Sequence, residues 1–175
     1  HPTFHENTPG GAAFGSVWRC KIVQFILHPI GIDIASAPVW YHQLPDDEVL
    51  ISFLEDGQLR AAKRREDGTW VAVPWVKRGI LLAFRFGSVV ATTGSEGGNV
   101  PDGDSAAFFD KDTLPLRRFT AEDGVRVVPG GSAVRRGAHL AAGVVCMPPM
   151  YVNVGAHVGA GSMIDSHALI GSCAQ

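Results

Sequence analysis

The sequence lacks paired cysteines, a strong charge of either sign and a long apolar run, and each absence argues against a class of protein. Its cysteines, Cys20, Cys146 and Cys173, are odd in number and widely spaced, so reduced thiols in a cytoplasmic protein are the simplest interpretation. The 15 Lys and Arg residues nearly balance 17 Asp and Glu, which argues against nucleic acid or an anionic membrane as main partner. The most apolar N-terminal run, residues 21–35, is too short to span a bilayer, and no signal peptide is evident.

Apolar residues and glycine are abundant. Apolar residues make up 46% of the chain and charged residues 18%, which argues against disorder. The 21 glycines suit a fold with many tight turns better than a helical bundle. Because the chain begins at His1 rather than Met and ends at Gln175 in the middle of a repeat pattern, we expect it to be a fragment of a longer protein.

The chain divides into three stretches. Residues 1–44 show no clear helical or strand period and receive no function. Residues 45–125 have the pattern of a small α+β domain. From residue 126 to 175 the pattern changes to a repeat. The predicted fold class is therefore an α+β N-terminal region followed by an incomplete parallel β-helix.

The α+β domain is predicted from helix caps and turn residues. Asp46 and Asp47 can cap a first helix that Gly57 would end. An Asp-Gly turn at residues 66–68 predicts a hairpin between strands at 59–65 and 69–73, and Pro74 opens a second helix. The predicted apolar faces are Val49, Leu50, Phe53 and Leu54 in the first helix, and Val76, Ile80, Leu81 and Phe84 in the second. Residues 87–105 are expected to form an exposed, mobile loop.

The repeat has a period of six. Its apolar residues are Val128, Val134, Leu140, Cys146, Val152, Val158, Ile164 and Ile170. That period fits neither a helix at about 3.6 residues per turn nor a strand at about 2. It fits a parallel β-helix, in which each six-residue unit forms one flat side of a triangular coil and the aliphatic side chain points inward. Corners are expected at Gly137, Gly143, Pro149, Gly155 and Gly161.

Two residues are candidates for chemistry. Asp165 is the one carboxylate between Val128 and Gln175, and it follows the inward Ile164, so alternation turns it outward. Such a carboxylate can act as a base or hold a cationic amine, but a solvated surface Asp at a turn is the more frequent case. Arg126 could hold a substrate carboxylate through two parallel hydrogen bonds, or be an ordinary exposed arginine.

The histidines raise the question of a metal site. His139 and His157 are one full coil apart and should lie one above the other. His167 has a different place in its unit, and His28 and His42 are distant in sequence. A surface ladder of stacked rings is therefore favoured, and no metal is expected.

Five segments of the chain have a familiar sequence: Leu54-Glu55-Asp56-Gly57, the run from Thr69 to Phe86, Phe109-Asp110-Lys111, Gly124 to Pro129, and the closing run from Met147 to Gln175. Together they resemble the tetrahydrodipicolinate N-succinyltransferase family of hexapeptide-repeat transferases. Other hexapeptide transferases share the repeat but not the helix-hairpin-helix domain before it. The resemblance implies a homotrimer of left-handed β-helices, with active sites between subunits, that takes part in lysine and diaminopimelate biosynthesis.

The resemblance also implies an activity. It implies transfer of succinyl from the co-substrate succinyl-CoA to the amino group of tetrahydrodipicolinate, with no permanently bound cofactor. Arg126 would grip a carboxylate of this substrate, and Asp165 would contact the amine and help remove its proton. Many members have an Asp-Glu pair where this chain has Gly159 and Ala160. A second acidic residue and most of the CoA groove would lie beyond Gln175, so we expect the 175-residue chain alone to be inactive.

Two other functions remain open at this point. One is an acetyl-CoA-dependent relative that uses the same amine acceptor. The other is a non-catalytic, trimeric hexapeptide scaffold, in which Asp165 would have no chemical role. Neither alternative requires nucleic acid or a membrane as partner.

Overall fold

The computed structural model describes residues 46–93 and 107–175 of the chain. Asp47–Gln175 forms one compact unit, and its described parts contain two α-helices, two antiparallel hairpins and eight short parallel strands. Neither helix is long and apolar enough to cross a membrane. The stretch 1–44, to which the sequence assigns no function, lies outside the described residues.

Helix α1 spans Asp46–Glu55, as the sequence predicts. Its predicted apolar face is confirmed, because Val49, Leu50, Phe53 and Leu54 are all buried, and Ile51 joins them at 1% exposure. The helix ends where Gly57 adopts a left-handed backbone with φ of 73°, a conformation that costs glycine little.

A hairpin follows, with β1 at Ala62–Arg64 and β2 at Trp70–Ala72. The strands pair antiparallel with Ala62 opposite Ala72, so the predicted hairpin is confirmed, although its strands are shorter than predicted. In the turn, Asp67 Oδ1 accepts hydrogen bonds from the backbone N–H of Thr69 at 2.9 Å and from its hydroxyl at 2.6 Å. These bonds lower the pKa of Asp67 and stabilise the turn.

Helix α2 spans Pro74–Phe86 and begins at the predicted proline. Val76, Ile80 and Ala83 are buried. The prediction is wrong at Leu81, which is 55% exposed. Successive residues of a helix are separated by about 100° around its axis, so Leu81 lies to one side of the buried row at Val76, Ile80 and Ala83.

The predicted loop at 87–105 is wrong in its first part. Val89–Thr93 is a strand, β3, that pairs antiparallel with β4 at Ala107–Lys111. Four of the five residues of β3 are valine or threonine, which favour strands, and the Gly- and Ser-rich residues that follow obscured this signal. The rest of the predicted loop, residues 94–106, lies outside the described residues.

The remaining strands are two residues long and form three small parallel sheets. They are β5 (Arg126–Val127), β6 (Ala133–Val134), β7 (His139–Leu140), β8 (Val145–Cys146), β9 (Tyr151–Val152), β10 (His157–Val158), β11 (Met163–Ile164) and β12 (Leu169–Ile170). The sheets have the orders β11-β8-β5, β12-β9-β6 and β10-β7. Partners such as Val134 and Val152 are 18 residues apart, which is consistent with a partial β-helix.

The first repeat interval differs from the prediction. Val127, not Val128, pairs with Cys146 and packs against the buried core. The interval from Val127 to Val134 is one residue longer than six. Between β5 and β6 the chain passes through Gly130 and Gly131, which both have positive φ. The inward role that the six-residue period assigned to Val128 therefore belongs to its neighbour.

The helices pack on the repeat region at glycine corners. A Cβ on Gly137 would lie 2.8 Å from Val154 Cγ2 and 3.1 Å from Ile51 of α1. A Cβ on Gly155 would lie 2.8 Å from Ile80 of α2. Only glycine permits these approaches without displacement of a neighbour.

Arginine side chains add polar links to the same packing. Arg136 donates to Glu48 at 2.7 Å and to Glu55 at 3.0 Å, and both carboxylates belong to α1. Burial lowers the pKa of Arg136, but the bonds and charges of Glu55 and Glu48 outweigh it and raise the pKa overall. Arg135 donates to Asp110 of β4 and to the hydroxyl of Tyr151.

Candidate active site

Asp165 is exposed at the end of β11, directly after the buried Ile164. Its Oδ1 accepts a hydrogen bond from the backbone N–H of Ser166 at 2.8 Å. Its backbone carbonyl accepts another from Ala168 at 3.1 Å. These two bonds fix the turn that presents the carboxylate, which points out of the core as the alternation of side chains requires.

Arg126 begins β5 and is also exposed. It pairs with Val145, which in turn pairs with Met163. The three residues therefore form one column across the sheet, and Asp165 lies two residues beyond the last of them. With two strand spacings between β5 and β11, the backbones of Arg126 and Asp165 are on the order of 10 Å apart.

Both candidate residues thus lie on one sheet without touching each other. Their surroundings are small or apolar: Gly159 and Ala160 precede β11 and are exposed, and Met163 and Leu169 are 66% and 71% exposed. A separation of this order accommodates a small molecule whose anionic end meets the guanidinium while its reacting nitrogen meets the carboxylate.

The predicted stacking of His139 and His157 is confirmed, but both residues are partly buried rather than fully on the surface. His139 pairs with His157 in register, and their ring centroids are 4.3 Å apart in a stacked arrangement. His139 Nδ1 lies 2.7 Å from the backbone oxygen of Glu55. Within the described residues, no group of three or more His, Cys, Asp or Glu side chains could hold a metal ion. His28 and His42 lie outside those residues.

A cavity of about 520 Å³ lies elsewhere, lined by Glu55, Pro115, Leu116, Arg117, Arg118, Asp123 and Arg136. Neither candidate residue lines it. Arg117 is bound to Asp123 at 3.5 Å and to the backbone oxygen of Ala138 at 2.9 Å, and Arg136 is held by the two glutamates of α1. Because these guanidinium groups are engaged with protein groups, the cavity is a weak candidate for an anion site.

His167, which lies beside Asp165, was considered from the sequence only as a metal ligand. His167 has a left-handed backbone with φ of 64°, although it is not a glycine. The sequence indicated this backbone conformation, because His167 follows Gly155 and Gly161 at the same six-residue spacing and so occupies a corner position.

A family model described as tetrahydrodipicolinate N-succinyltransferase, N-terminal, matches residues 48–86. This match covers α1 from Glu48 onward, the first hairpin and α2. It includes two of the segments that resemble the family, Leu54–Gly57 and Thr69–Phe86.

Curated proteins match over a longer part of the chain. A 2,3,4,5-tetrahydropyridine-2,6-dicarboxylate N-succinyltransferase of Paramagnetospirillum magneticum is 42% identical over 135 residues, which is 73% of this chain and 44% of the relative. Proteins with the same name from a Methylobacterium species and from Idiomarina loihiensis are 40% and 44% identical, over 73% and 72% of this chain and 44% and 43% of their own lengths. The chain thus spans less than half the length of these relatives. Together, the matches show that it belongs to the tetrahydrodipicolinate N-succinyltransferase family.

Proposed function

We propose that the full-length protein, meaning this sequence with any adjoining coding sequence, transfers succinyl from succinyl-CoA to the amino group of tetrahydrodipicolinate in lysine and diaminopimelate biosynthesis. The observation that carries the proposal is the placement of an exposed cation, Arg126, and an exposed carboxylate, Asp165, along one sheet of the repeat region. The names of the relatives supply the substrate class.

Arg126 and Asp165 have different roles in this reaction. Arg126 holds a carboxylate of the acceptor through two parallel hydrogen bonds. Asp165 receives the proton of the acceptor nitrogen as that nitrogen attacks the carbonyl carbon of the thioester. One water first adds across the C=N bond of the acceptor ring, and this addition supplies the nitrogen with the proton that Asp165 receives. The bond from carbon to sulfur then breaks, CoA leaves as a thiolate and takes up a proton, and the ring opens to a ketone. Holding nitrogen and thioester in position supplies much of the rate.

The repeat region is, in this proposal, the start of a left-handed β-helix of hexapeptide units over residues 126–175, after an α+β domain over residues 45–125. Three observations support it: the 18-residue register, three sheets that take successive strands in turn, and positive φ at glycines six residues apart. Each six-residue unit then supplies one side of the triangular coil.

The assembly in this proposal is a homotrimer with active sites between subunits. Exposed apolar side chains on the repeat, Met163 and Leu169, support it. We place the enzyme in the cytoplasm, where a reducing environment suits the free thiols of Cys146 and Cys173. No residue is assigned to CoA and no permanently bound cofactor is included.

The test is release of CoA by the purified full-length protein with tetrahydrodipicolinate as acceptor. We expect succinyl-CoA to be consumed at least tenfold faster than acetyl-CoA, and no release when the acceptor is omitted. A preference for acetyl-CoA would assign the protein to the acetyl-dependent alternative, and no release from either thioester would favour a scaffold. The 175-residue chain, tested in parallel, is expected to release none.

A further inference from the structure

Except at Pro149, the predicted corners of the repeat and the two positions that continue their six-residue series share one backbone conformation. It has positive φ at Gly137 (78°), Gly143 (80°), Gly155 (76°), Gly161 (71°), His167 (64°) and Cys173 (62°), each six residues or a multiple of six from the next. Glycine adopts this conformation freely, whereas a residue with a Cβ is strained in it. Histidine and cysteine at the last two corners therefore need separate explanations.

Cys173 has a packing explanation. It is partly buried, and its Sγ lies 3.1 Å from the position that a Cβ on Gly155 would take. It therefore fills the space above that glycine. Its backbone N–H donates to Val154 at 3.1 Å, which holds the corner in place.

His167 has no such explanation. Its backbone N–H donates to the carbonyl of Pro149 at 2.6 Å, a bond that any residue but proline would make. Its side chain is exposed, and no side-chain hydrogen bond or ion pair is formed by it within residues 46–93 and 107–175. Residues other than glycine that are held in this backbone conformation cluster at functional sites.

We propose that the imidazole of His167 donates a hydrogen bond to a carboxylate of the acceptor, as a second anchor beside Arg126. This inference rests on the proposed function, because the acceptor is a dicarboxylate. The Cα atoms of Asp165 and His167 are at most about 7 Å apart, so one small molecule can reach both. With two anchors the site would bind both carboxylates of the acceptor, so loss of one anchor would weaken binding of the acceptor.

Other basic groups on the repeat are less suited to this role. His139 and His157 stack on each other, and the Nδ1 of His157 is buried. Arg135 and Arg136 are held by carboxylates. His167 is the basic side chain closest in sequence to Asp165, and nothing described in the structure competes for its N–H groups.

The experiment compares His167→Gly with Cys173→Gly in the full-length protein. Both changes remove a side chain from a left-handed corner, so both relieve backbone strain, and only the first removes the imidazole. For His167→Gly we expect an unchanged or higher melting temperature, a KM for the acceptor raised roughly tenfold or more, and a kcat and a KM for succinyl-CoA within about twofold of the wild type. For Cys173→Gly we expect no change in the KM for the acceptor.

A binding measurement accompanies the kinetics. Pyridine-2,6-dicarboxylate carries the two carboxylates of the acceptor without its reactive ring, and its affinity can be measured by calorimetry. We expect His167→Gly to weaken it roughly tenfold.

An unchanged KM and affinity in His167→Gly, or equal losses in both variants, would overturn the role of His167 while leaving the proposed function intact. A melting temperature lowered by His167→Gly would overturn the premise of strain. A wild type that neither releases CoA nor binds the dicarboxylate would remove the proposed function together with this inference.

Discussion

The ring of His157 stacks on the ring of His139 and is the clearest case of a residue whose environment alters its chemistry. Its Nδ1 is buried and has no hydrogen-bond partner. Burial, the nearby charge of Arg60 and the stacked ring of His139 lower the pKa of His157 from 6.5 to about 4. The folded protein therefore holds this ring neutral at pH values where an unfolded chain would protonate it.

This difference predicts a dependence of stability on pH. Between about pH 6.5 and pH 4 the unfolded chain binds a proton at His157 that the folded chain does not, so the free energy of unfolding falls as the pH falls. Below about pH 4 both states are protonated and the contribution stays constant. Replacement of His157 with Phe keeps an aromatic ring in the stack and removes the titration. Urea unfolding at pH 7 and pH 4.5 should show a smaller loss of stability in this variant, and an equal loss would contradict the explanation.

The sequence indicated a candidate residue clearly where only one residue of the required chemical type was present. Asp165 stood out because no other carboxylate occurs in the repeat, whereas the six-residue period assigned the first inward position to Val128. The inward position is Val127 because the first interval holds an extra residue, and a period read from sequence cannot show which interval lengthens. The left-handed backbone of His167 was not predicted, although its place in the six-residue series after Gly155 and Gly161 indicated it.

At the scale of elements, the contact between α1 and the repeat depends on Gly137. This glycine has φ of 78°, and the neighbouring Val154 and Ile51 are 0% and 1% exposed, so they have little room to move. Valine is also restricted to few rotamers. The contact between helix and repeat is therefore close-packed at this corner.

Replacement of Gly137 with Ala should destabilise the protein through two effects. The new Cβ is strained at positive φ, and it also meets Val154 Cγ2 at 2.8 Å. Gly161 is a matched control, because it has φ of 71° but nothing within 4 Å of its virtual Cβ. We expect Gly161→Ala to lower the free energy of unfolding by about 1 kcal/mol and Gly137→Ala by about 2 kcal/mol more. If urea unfolding gave equal decreases in the free energy of unfolding for both variants, the contact of the new Cβ with Val154 would contribute nothing to the destabilisation.

Elements with explicit end signals were predicted well. Pro74 and Gly57 marked helix boundaries, and Asp67-Gly68 marked the first hairpin. The second hairpin was not predicted, because β3 and β4 are joined through residues 94–106, a connection far longer than a tight turn. Strand pairing over such a distance leaves no local pattern in the sequence.

At the scale of the whole molecule, the proposal requires more than one copy of the chain. A few short coils bury little interior, and large apolar side chains remain exposed on them. We expect sedimentation equilibrium of the full-length protein to give three times the mass of one chain across the micromolar range. A monomer under those conditions would contradict an active site formed between subunits.

The central claim is that Asp165 is the base for attack on the thioester, and replacement of Asp165 with Asn tests it most directly. Asp67→Asn is the control, because Asp67 is likewise exposed and its carboxylate likewise accepts a hydrogen bond from a following backbone N–H. In the full-length protein we expect kcat for CoA release to fall about a hundredfold or more in Asp165→Asn and to stay within about twofold of the wild type in Asp67→Asn. A kcat within about threefold of the wild type in Asp165→Asn would contradict the assignment.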